Sequence, residues 1–393
     1  MRPPQFTLTA AEVQSLFGQW LAPVLGPWPA VRRCSVAAVA AILAYAAHRL
    51  SSVFDACNRL AGAPDGDTVL GLLVRLLPDA DVLERRLQAA LADHLPRSLR
   101  RGRWVVAVDI TLIPYHGRPF ADAAEVYRSR PKSGTTHFHA YATAYLVRDG
   151  RRFTLALARV RHGTAPAAVV RDLLRRVRAA GVNIRLVLLD RGFNCAGVVR
   201  SLRAARTPFI MPQAVHGRAP ADGRLTGLRA IRAYHPTGWA TYTWQPLGQR
   251  RVTVDLCVCR RRRRDRRGHR VFLYACWGVR STPACVRAVY RRRFGIETSY
   301  RQMNRARIRT TTRRPTLRLL FIGAALLLRN LWAWLHWTAL ARRRRGGRRM
   351  QLDRLRFATL LLWLAHLAEH AFGYHDHTAA EAPPADDLRD RRP

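Results

Sequence analysis

The chain has 393 residues and 49% of them are hydrophobic, which is enough for packed cores in two or three domains and excludes a wholly disordered protein. It carries 68 Lys and Arg residues against 25 Asp and Glu residues, a formal net charge of +43. Such an excess predicts a polyanionic partner, and DNA is the obvious one, because each phosphate that a cation binds releases counterions. A ribosomal type of protein is the alternative, but such proteins are usually shorter and lack carboxylates in apolar strands.

The cysteines and the first residues bear on the compartment. The seven cysteines are odd in number and include no Cys-x-x-Cys pair. Cys257 and Cys259 fall on one face of a predicted strand, so we expect small buried hydrophobic side chains there rather than a zinc site. The first residues lack the pattern of a secretory signal peptide. We therefore expect a reducing cytoplasm and, from the charge, association with the nucleoid.

The first 100 residues are predicted to be helical. Amphipathic runs cover residues 37–49, 51–60, 68–77 and 81–95, with a Gly- and Pro-containing break at 62–66. Short helices joined by tight polar turns are typical of helix-turn-helix DNA-binding domains, although other helical caps have the same pattern. We predict a DNA-binding domain over residues 1–100.

The pattern changes at Trp104 to apolar strands. Residues 104–111, 137–147, 152–160 and 184–190 are predicted strands, with helices over 165–180 and 195–205. The order strand, strand, strand, helix, strand, helix is that of the α/β, ribonuclease H-like fold. We predict a catalytic core of this type over residues 101–205 and 283–340.

The block 206–282 departs from that order. It contains predicted strands at 209–212, 239–244, 251–259 and 269–277, with a basic loop at 260–268. We predict a β-rich insertion.

The C-terminal part is predicted to be helical. Residues 283–304 form an arginine-dense helix, 317–340 an apolar helix, and 353–372 an amphipathic helix after a basic loop at 342–349. The helix over 317–340 is long enough to span a membrane, but Arg318, Arg329, Asn330 and His336 favour a buried helix. Residues 341–377 are predicted to form the basic loop and C-terminal helix, and 378–393 a disordered tail.

Two acidic residues stand out because each follows an apolar strand. Asp109 comes after Val-Val-Ala-Val, and Asp190 comes after Leu-Val-Leu-Leu. Ionised carboxylates are costly in such surroundings unless they are paired or bind metal. If the strands are neighbours, the two like charges lie close together and a divalent cation relieves their repulsion. Mg²⁺ prefers a few carboxylates together with water and substrate phosphate.

The third candidate carboxylate is Glu297. Five residues of the predicted helix share one helix face about 80° wide: Tyr290, Arg293, Glu297, Arg301 and Asn304. One acid among arginines, an aromatic ring and an amide is typical of a surface that meets metal and phosphate together. The alternative is a solvated basic helix with an Arg293–Glu297 pair at i, i+4.

These residues resemble a known family. The segment 290–297, Tyr-Arg-Arg-Arg-Phe-Gly-Ile-Glu, is similar to the Tyr-x2-Arg-x3-Glu-x6-Lys signature of a large family of bacterial and archaeal insertion-sequence transposases. Segments 108–111, 134–143 and 189–193 resemble one branch of that family. The resemblance covers about residues 100–340. Where the family has lysine, this chain has Asn304 followed by Arg305, and Arg301 or Arg305 could supply the missing charge.

The resemblance implies an Asp-Asp-Glu (DDE) transposase. Such an enzyme cleaves DNA at the ends of an insertion sequence and transfers the strands, in cut-and-paste transposition. Asp109, Asp190 and Glu297 would be its catalytic residues and would hold two Mg²⁺ ions, for which Mn²⁺ is expected to substitute. One ion would activate the attacking oxygen and the other would stabilise the leaving 3′-oxygen.

The resemblance also implies DNA contacts. Tyr290 and Arg293 would hold the backbone near the cut, and Arg301, Asn304 and Arg305 would bind phosphate alongside. Lys132, the one lysine of the chain, precedes a predicted turn from which it could reach DNA, or it is a solvated loop residue. Terminal inverted repeats and target DNA are the expected partners. Because two ends must be joined, we expect a homodimer on DNA and no membrane association.

Two tryptophans in the predicted insertion have two interpretations. Related enzymes that form a DNA hairpin use an aromatic side chain there to stack a flipped base, and Trp239 and Trp244 could do so. Core packing is the favoured alternative.

Three other functions are compatible with parts of the sequence. A non-catalytic DNA-binding relative is disfavoured because all three carboxylates are present. A DDE nuclease of repair or defence would lack specificity for inverted repeats. A membrane protein built on residues 317–340 would require detergent for expression.

Overall fold

The structure, a computed structural model, is a mixed α/β fold around a nine-stranded sheet. It describes residues 7–29, 33–118, 120, 122–148, 152–219, 223–244, 250–262, 268–344 and 347–375. The predicted disordered tail, 378–393, lies outside the described residues, and so do parts of both predicted basic loops.

Five helices precede the sheet. Their bounds are Ala10–Leu25 (α1), Val36–Arg49 (α2), Val53–Arg59 (α3), Gly66–Leu76 (α4) and Ala80–Asp93 (α5). Each begins after a side chain that accepts hydrogen bonds from the free N–H groups of the first turn, namely Thr9, Ser35, Ser52, Asp65 and Asp79. The helical character predicted for this region is confirmed.

The sheet is built from nine strands. They are Arg103–Pro114 (β1), Tyr127–Lys132 (β2), Thr135–Leu146 (β3), Thr154–Val160 (β4), Asn183–Leu189 (β5), Phe209–Pro212 (β6), Gly238–Trp244 (β7), Val252–Arg262 (β8) and His269–Trp277 (β9). Their order is β2-β3-β1-β5-β6-β9-β8-β7, with β4 also paired to β3. The pairs β1–β5 and β5–β6 are parallel. The strands predicted for residues 206–282 form, and they extend this same sheet beyond β6.

Five helices follow within and after the sheet. They are Pro166–Ala179 (α6), Ala196–Ala204 (α7), Gly227–Tyr234 (α8), Pro283–Arg291 (α9) and Gly295–Arg305 (α10). Because side chains alternate along a strand, β1 presents Val106 and Val108 to one face and Val105 and Ala107 to the other. Helices α6 and α7 pack in the cluster of the first face. Helices α9 and α10 contribute to the cluster of the second face. Asp109 lies on this second face as well, because it continues the alternation of Val105 and Ala107.

The apolar C-terminal helix is buried in the protein. It spans Pro315–Thr338 (α11), and a short hairpin, Arg342–Arg344 (β10) and Gly347–Arg349 (β11), leads to Phe357–Phe372 (α12). Helix α11 is long and apolar enough to cross a membrane, but 94% of its most apolar window is buried within the fold. It packs against α1, α2, α4 and α5 as well as β4. The burial favoured by its polar residues is thus observed.

Two of those polar residues join α11 to the sheet. The Asn330 amide accepts from the Thr154 N–H at 2.9 Å and donates to the Thr154 carbonyl at 2.8 Å. The fully buried Arg329 donates to the Arg152 carbonyl and, at 3.1 Å, to the Tyr145 hydroxyl. These contacts provide hydrogen-bond partners for polar groups of the sheet that a purely apolar helix would leave unpaired. The N-terminal helices, α11 and the sheet also share one hydrophobic core.

Candidate active site

Asp109 and Asp190 meet where the parallel pair β1–β5 ends. The last register pair of these strands is Val108 with Leu189, so each aspartate is the next residue of its strand. Strand β1 continues to Pro114 in its pairing with β3, which places Asp109 inside the strand rather than at its predicted end. The expected proximity of the two carboxylates follows from this register.

A single guanidinium joins all three predicted carboxylates. Arg293 Nη1 lies 3.1 Å from Asp109 Oδ2, and Nη2 lies 3.2 Å from Asp190 Oδ1. The same Nη2 lies 3.8 Å from Glu297 Oε1. The three acids therefore converge on one point, although they come from two strands and a helix separated by long stretches of sequence.

The helix that carries Glu297 is interrupted, so the predicted single helix over 283–304 is wrong. A 3₁₀ turn, Arg292–Phe294, separates α9 from α10. Since a 3₁₀ turn has about 3.0 residues per turn instead of 3.6, it turns Arg293 inward relative to a continuous helix. Arg293 is 5% exposed, whereas the Glu297 side chain is 46% exposed. Tyr290 and Arg293 therefore do not share an outward face with Arg301 and Asn304.

Tyr290 supports this arrangement from within the core. Its hydroxyl donates to the Leu189 carbonyl at 3.2 Å, next to Asp190, and its side chain is buried. Its ring lies 5.6 Å from the Arg293 guanidinium, in cation–π contact. The geometry gives Tyr290 a positioning role, and its predicted contact with DNA stays a prediction.

The carboxylates differ in environment. The side chain of Asp109 is 16% exposed, against 43% for Asp190. Burial, opposed by the Arg293 guanidinium and reinforced by the Asp190 charge, raises the pKa of Asp109 to about 6. The Asp109 carboxylate is thus costly to ionise in this fold, and additional positive charge beside it would favour the ionised form.

Tyr300 holds the backbone of Asp109 in place, a role that the sequence did not indicate. Its hydroxyl donates to the Asp109 carbonyl at 3.0 Å and bonds the Thr143 hydroxyl at 2.7 Å. Thr143 is the residue opposite Asp109 in the β1–β3 register. The available signal was the position of Tyr300 three residues after Glu297, on the same side of α10.

The other predicted DNA contacts lie on the surface. Arg301, Asn304 and Arg305 are exposed on α10, in the turns that follow Glu297. Lys132 is exposed at the β2–β3 hairpin, whose turn residues Ser133 and Gly134 have φ of 53° and 74°. None of these four belongs to the carboxylate cluster.

The two tryptophans of β7 are half-buried. Trp239 donates its indole N–H to the Ser281 carbonyl at 3.0 Å, and Trp244 stacks on Tyr242 with ring centroids 6.0 Å apart. Both contact hydrophobic clusters, as the packing alternative expected. Cys257 and Cys259 are buried in β8.

The chemistry of the carboxylates fits a divalent cation. Three oxygen donors converge with an adjacent open face, and hard oxygen ligands are what Mg²⁺ and related ions take. In the part of the chain that is described, no three Asp, Glu, His or Cys side chains are close enough to hold an ion without movement. The Arg293 guanidinium instead supplies the positive charge, so metal binding requires the carboxylates and Arg293 to readjust.

Comparison with known proteins identifies the family. The family model of the transposase DDE domain matches residues 100–331, which is more than half of the chain. The chain is also similar to the piggyBac transposase in a cryo-EM structure of its synaptic complex with hairpin DNA, at 12% identity and a TM-score of 0.51, over 99% of this chain and 86% of that chain. At this identity, the likeness concerns the fold alone. A search of curated protein sequences found no match to the chain. The chain belongs to the transposase DDE domain family, whose enzymes cut and join DNA in transposition.

Proposed function

We propose that Asp109, Asp190 and Glu297 are the catalytic carboxylates of this DNA transposase. The observation that carries the proposal is the guanidinium of Arg293, which contacts all three at 3.1 to 3.8 Å. A buried cation held by three acids from separate elements marks a site built to concentrate negative charge.

The three carboxylates would hold two divalent cations, Mg²⁺ with Mn²⁺ as a substitute. Bound there, such ions lower the pKa of the attacking water or 3′-hydroxyl and stabilise the leaving 3′-oxygen. The protein's own contribution is position. Tyr300 fixes the backbone of Asp109, and Tyr290 fixes the strand end before Asp190.

Arg293 acts as the counter-ion of the carboxylates in the metal-free protein. With 5% of its surface exposed, it cannot also lie along a DNA backbone without moving outward. Phosphate binding is therefore assigned in this proposal to the exposed residues of α10, Arg301, Asn304 and Arg305, and to Lys132 at the hairpin. Arg301 and Arg305 supply the charge that Asn304 lacks.

The remaining features of the proposal concern assembly and setting. The order β4-β3-β1-β5-β6 supports a ribonuclease H-like core, and the residues around Glu297 support the branch with the Tyr-x2-Arg-x3-Glu-x6-Lys signature. The N-terminal helices would contact the inverted repeats, and a homodimer would hold two ends together. The cytoplasm, at the nucleoid, is the proposed location.

The proposed reaction is tested by cleavage of DNA that carries an end of the element. Short terminal inverted repeats flanking the gene define that end, and a scrambled end is the control substrate. Mg²⁺-dependent formation of a 3′-hydroxyl at the true end alone is the expected result. Equal cutting of both substrates would favour a general nuclease, and tight binding without cutting would favour a non-catalytic relative.

The proposed ligands are tested by Mn²⁺ binding, measured by electron paramagnetic resonance of the free ion. Asp190→Asn is expected to lose the tightest site. Asp255→Asn is the matched control, since Asp255 is exposed on β8 and outside the cluster. Equal Mn²⁺ binding by both variants would move the metal site elsewhere.

A further inference from the structure

A second polar cavity lies on the sheet face of Asp109, under the start of α11. It has a volume of about 140 Å³ and is lined by the β1 end at Ile113, by Tyr141 and by the group that we call the arginine pocket: His139, Arg307, Arg309 and Arg318. A water molecule occupies about 30 Å³ in the liquid, so the cavity is large enough for a group bigger than one water.

Within the residues that the structure describes, no carboxylate pairs with Arg307, Arg309 or Arg318. Burial and the neighbouring charges of Arg309 and Arg318 lower the pKa of Arg307 to about 10. Grouping guanidiniums in a half-buried site without an acid is unfavourable unless an anion joins them.

Among the described residues, two nitrogens of the pocket are buried without a hydrogen-bond partner. They are Nε of Arg307 and Nε2 of His139, and His139 is 5% exposed. Burial and the charge of Arg318 lower the pKa of His139 to about 3, so its ring is neutral and one of its nitrogens can donate. Unsatisfied buried donors are rare in native proteins, and they favour an oxygen-rich ligand.

The pocket is held in place by the fold. Arg318 donates from Nε to the Thr312 carbonyl at 2.6 Å and lies over the ring of Tyr115 at 5.3 Å. The backbone N–H of Arg309 donates to the Ser51 carbonyl at 2.8 Å. The guanidiniums therefore project from a segment tied at both ends, with the exposed Arg309 at the rim.

The pocket is aligned with the catalytic carboxylates. In the β1–β3 register, Asp109 faces Thr143 and Ile113 faces His139. Residues an even number apart point to the same face, so Asp109 and the pocket share one face of the sheet. Ile113 lies four positions along β1 from Asp109, a distance of about 14 Å at about 3.4 Å per residue.

We propose that the arginine pocket binds a phosphate of the DNA backbone and so fixes which phosphodiester reaches Asp109. The proposal rests on the DNA-cleaving function above and adds a defined backbone contact to it. One guanidinium can donate two N–H groups to two phosphate oxygens at once, and a neutral imidazole adds one more donor. The pocket would therefore hold a backbone phosphate within a few nucleotides of the cut.

Salt-dependent DNA binding tests the pocket without requiring cleavage. Arg307→Gln and Arg309→Gln each remove one pocket charge, and the exposed Arg309 keeps the test valid if Arg307→Gln fails to fold. Arg171→Gln is the matched control, since Arg171 is exposed on α6, across the sheet. Each pocket variant should reduce the slope of log affinity against log salt by about 1, and the control should not.

A phosphate-neutralisation scan then locates the contact. DNA ends carrying one methylphosphonate at successive positions are bound to wild type and to Arg309→Gln. One position should weaken wild-type binding and have no further effect in the variant. If that position weakens both proteins equally, or if the pocket variants match Arg171→Gln, the proposal is overturned.

Three further outcomes distinguish a DNA phosphate from a free phosphate as the ligand, and failure of the pocket proposal from failure of the proposed function. If inorganic phosphate at millimolar concentration raises the wild-type melting temperature but the pocket variants bind DNA normally, the pocket takes a free anion and the DNA assignment is wrong. If wild type binds and cuts the element's end while the pocket variants behave as wild type, only the pocket fails. If wild type does not bind DNA, the proposed function fails with it.

Discussion

Replacing Asp109 with asparagine is expected to stabilise the metal-free protein. Burial, opposed by Arg293 and reinforced by Asp190, raises the pKa of Asp109 from 3.8 to about 6. Since one pKa unit corresponds to about 1.4 kcal/mol, ionising this carboxyl costs the folded protein about 3 kcal/mol. Asparagine has nearly the same shape and no charge, so Asp109→Asn avoids this cost while abolishing cleavage.

The stabilisation should depend on pH with a definite sign. Because the folded pKa of Asp109 is raised, its contribution to stability is complete below the unfolded pKa and is lost as the pH rises through about 6. The free energy of unfolding of Asp109→Asn should therefore equal that of wild type near pH 4 and exceed it by about 3 kcal/mol at pH 7.

Urea unfolding in the presence of a chelator, at several pH values, measures this difference. Asp255→Asn is the control, because Asp255 is exposed on β8 and lies outside the carboxylate cluster. The reasoning is refuted if Asp109→Asn is no more stable than wild type at pH 7. It is equally refuted if the gain is the same at pH 4, since a titrating carboxyl cannot then be its cause.

Three other substitutions test the supports of the site and the fold. Tyr300→Phe loses the bond to the Asp109 carbonyl and should cost about 1 kcal/mol in urea unfolding, with single-turnover cleavage slowed more than DNA binding is weakened; unchanged cleavage would contradict the positioning role. Asn330→Ala leaves the N–H and carbonyl of Thr154 unpaired and should cost about 3 kcal/mol, and a loss under about 1 kcal/mol would be inconsistent with buried bonds. Arg293→Gln should lower the melting temperature in chelator and regain most of the loss in Mn²⁺, whereas an equal loss in both would rule out the counter-ion role.

The convergence of the three candidate carboxylates could be anticipated from the sequence. Asp109 and Asp190 stand out because each follows an apolar run, and the β1–β5 register brings them together as neighbouring parallel strands require. Glu297 stood out from the spacing of polar residues along one predicted helix, and the resemblance to the transposase signature made it the third candidate. These signals are local, since each needs only a few residues of periodicity and the cost of a carboxylate in apolar surroundings.

What the sequence did not indicate depends on contacts between distant residues. The 3₁₀ turn Arg292–Phe294 has no proline or other clear breaker, so the helical pattern continued through it and Arg293 was expected on the surface. The bond from Tyr300 to β1 requires knowledge of which strand lies under α10. Likewise, the strands of residues 206–282 have the periodicity of a separate sheet, and the β5–β6 and β6–β9 pairings that join them to the central sheet depend on tertiary structure.

The arginine pocket was hidden for a related reason. In a chain with 68 basic residues, Arg307 and Arg318 do not differ from their neighbours in type or spacing. Only the fold brings them against His139 on β3 and away from acids. Composition predicted that the protein meets a polyanion, whereas the place of contact depends on tertiary structure.

The most direct test of the central claim is the rate at which Glu297→Gln cleaves a DNA fragment carrying the element's end in Mg²⁺. Glu297 comes from a different element than the two aspartates, and its substitution preserves shape while removing the charge. We predict that Glu297→Gln binds the end like wild type and forms no 3′-hydroxyl, while Asp255→Asn cuts normally. Cleavage by Glu297→Gln at the wild-type rate would contradict the assignment of the three carboxylates as the catalytic centre.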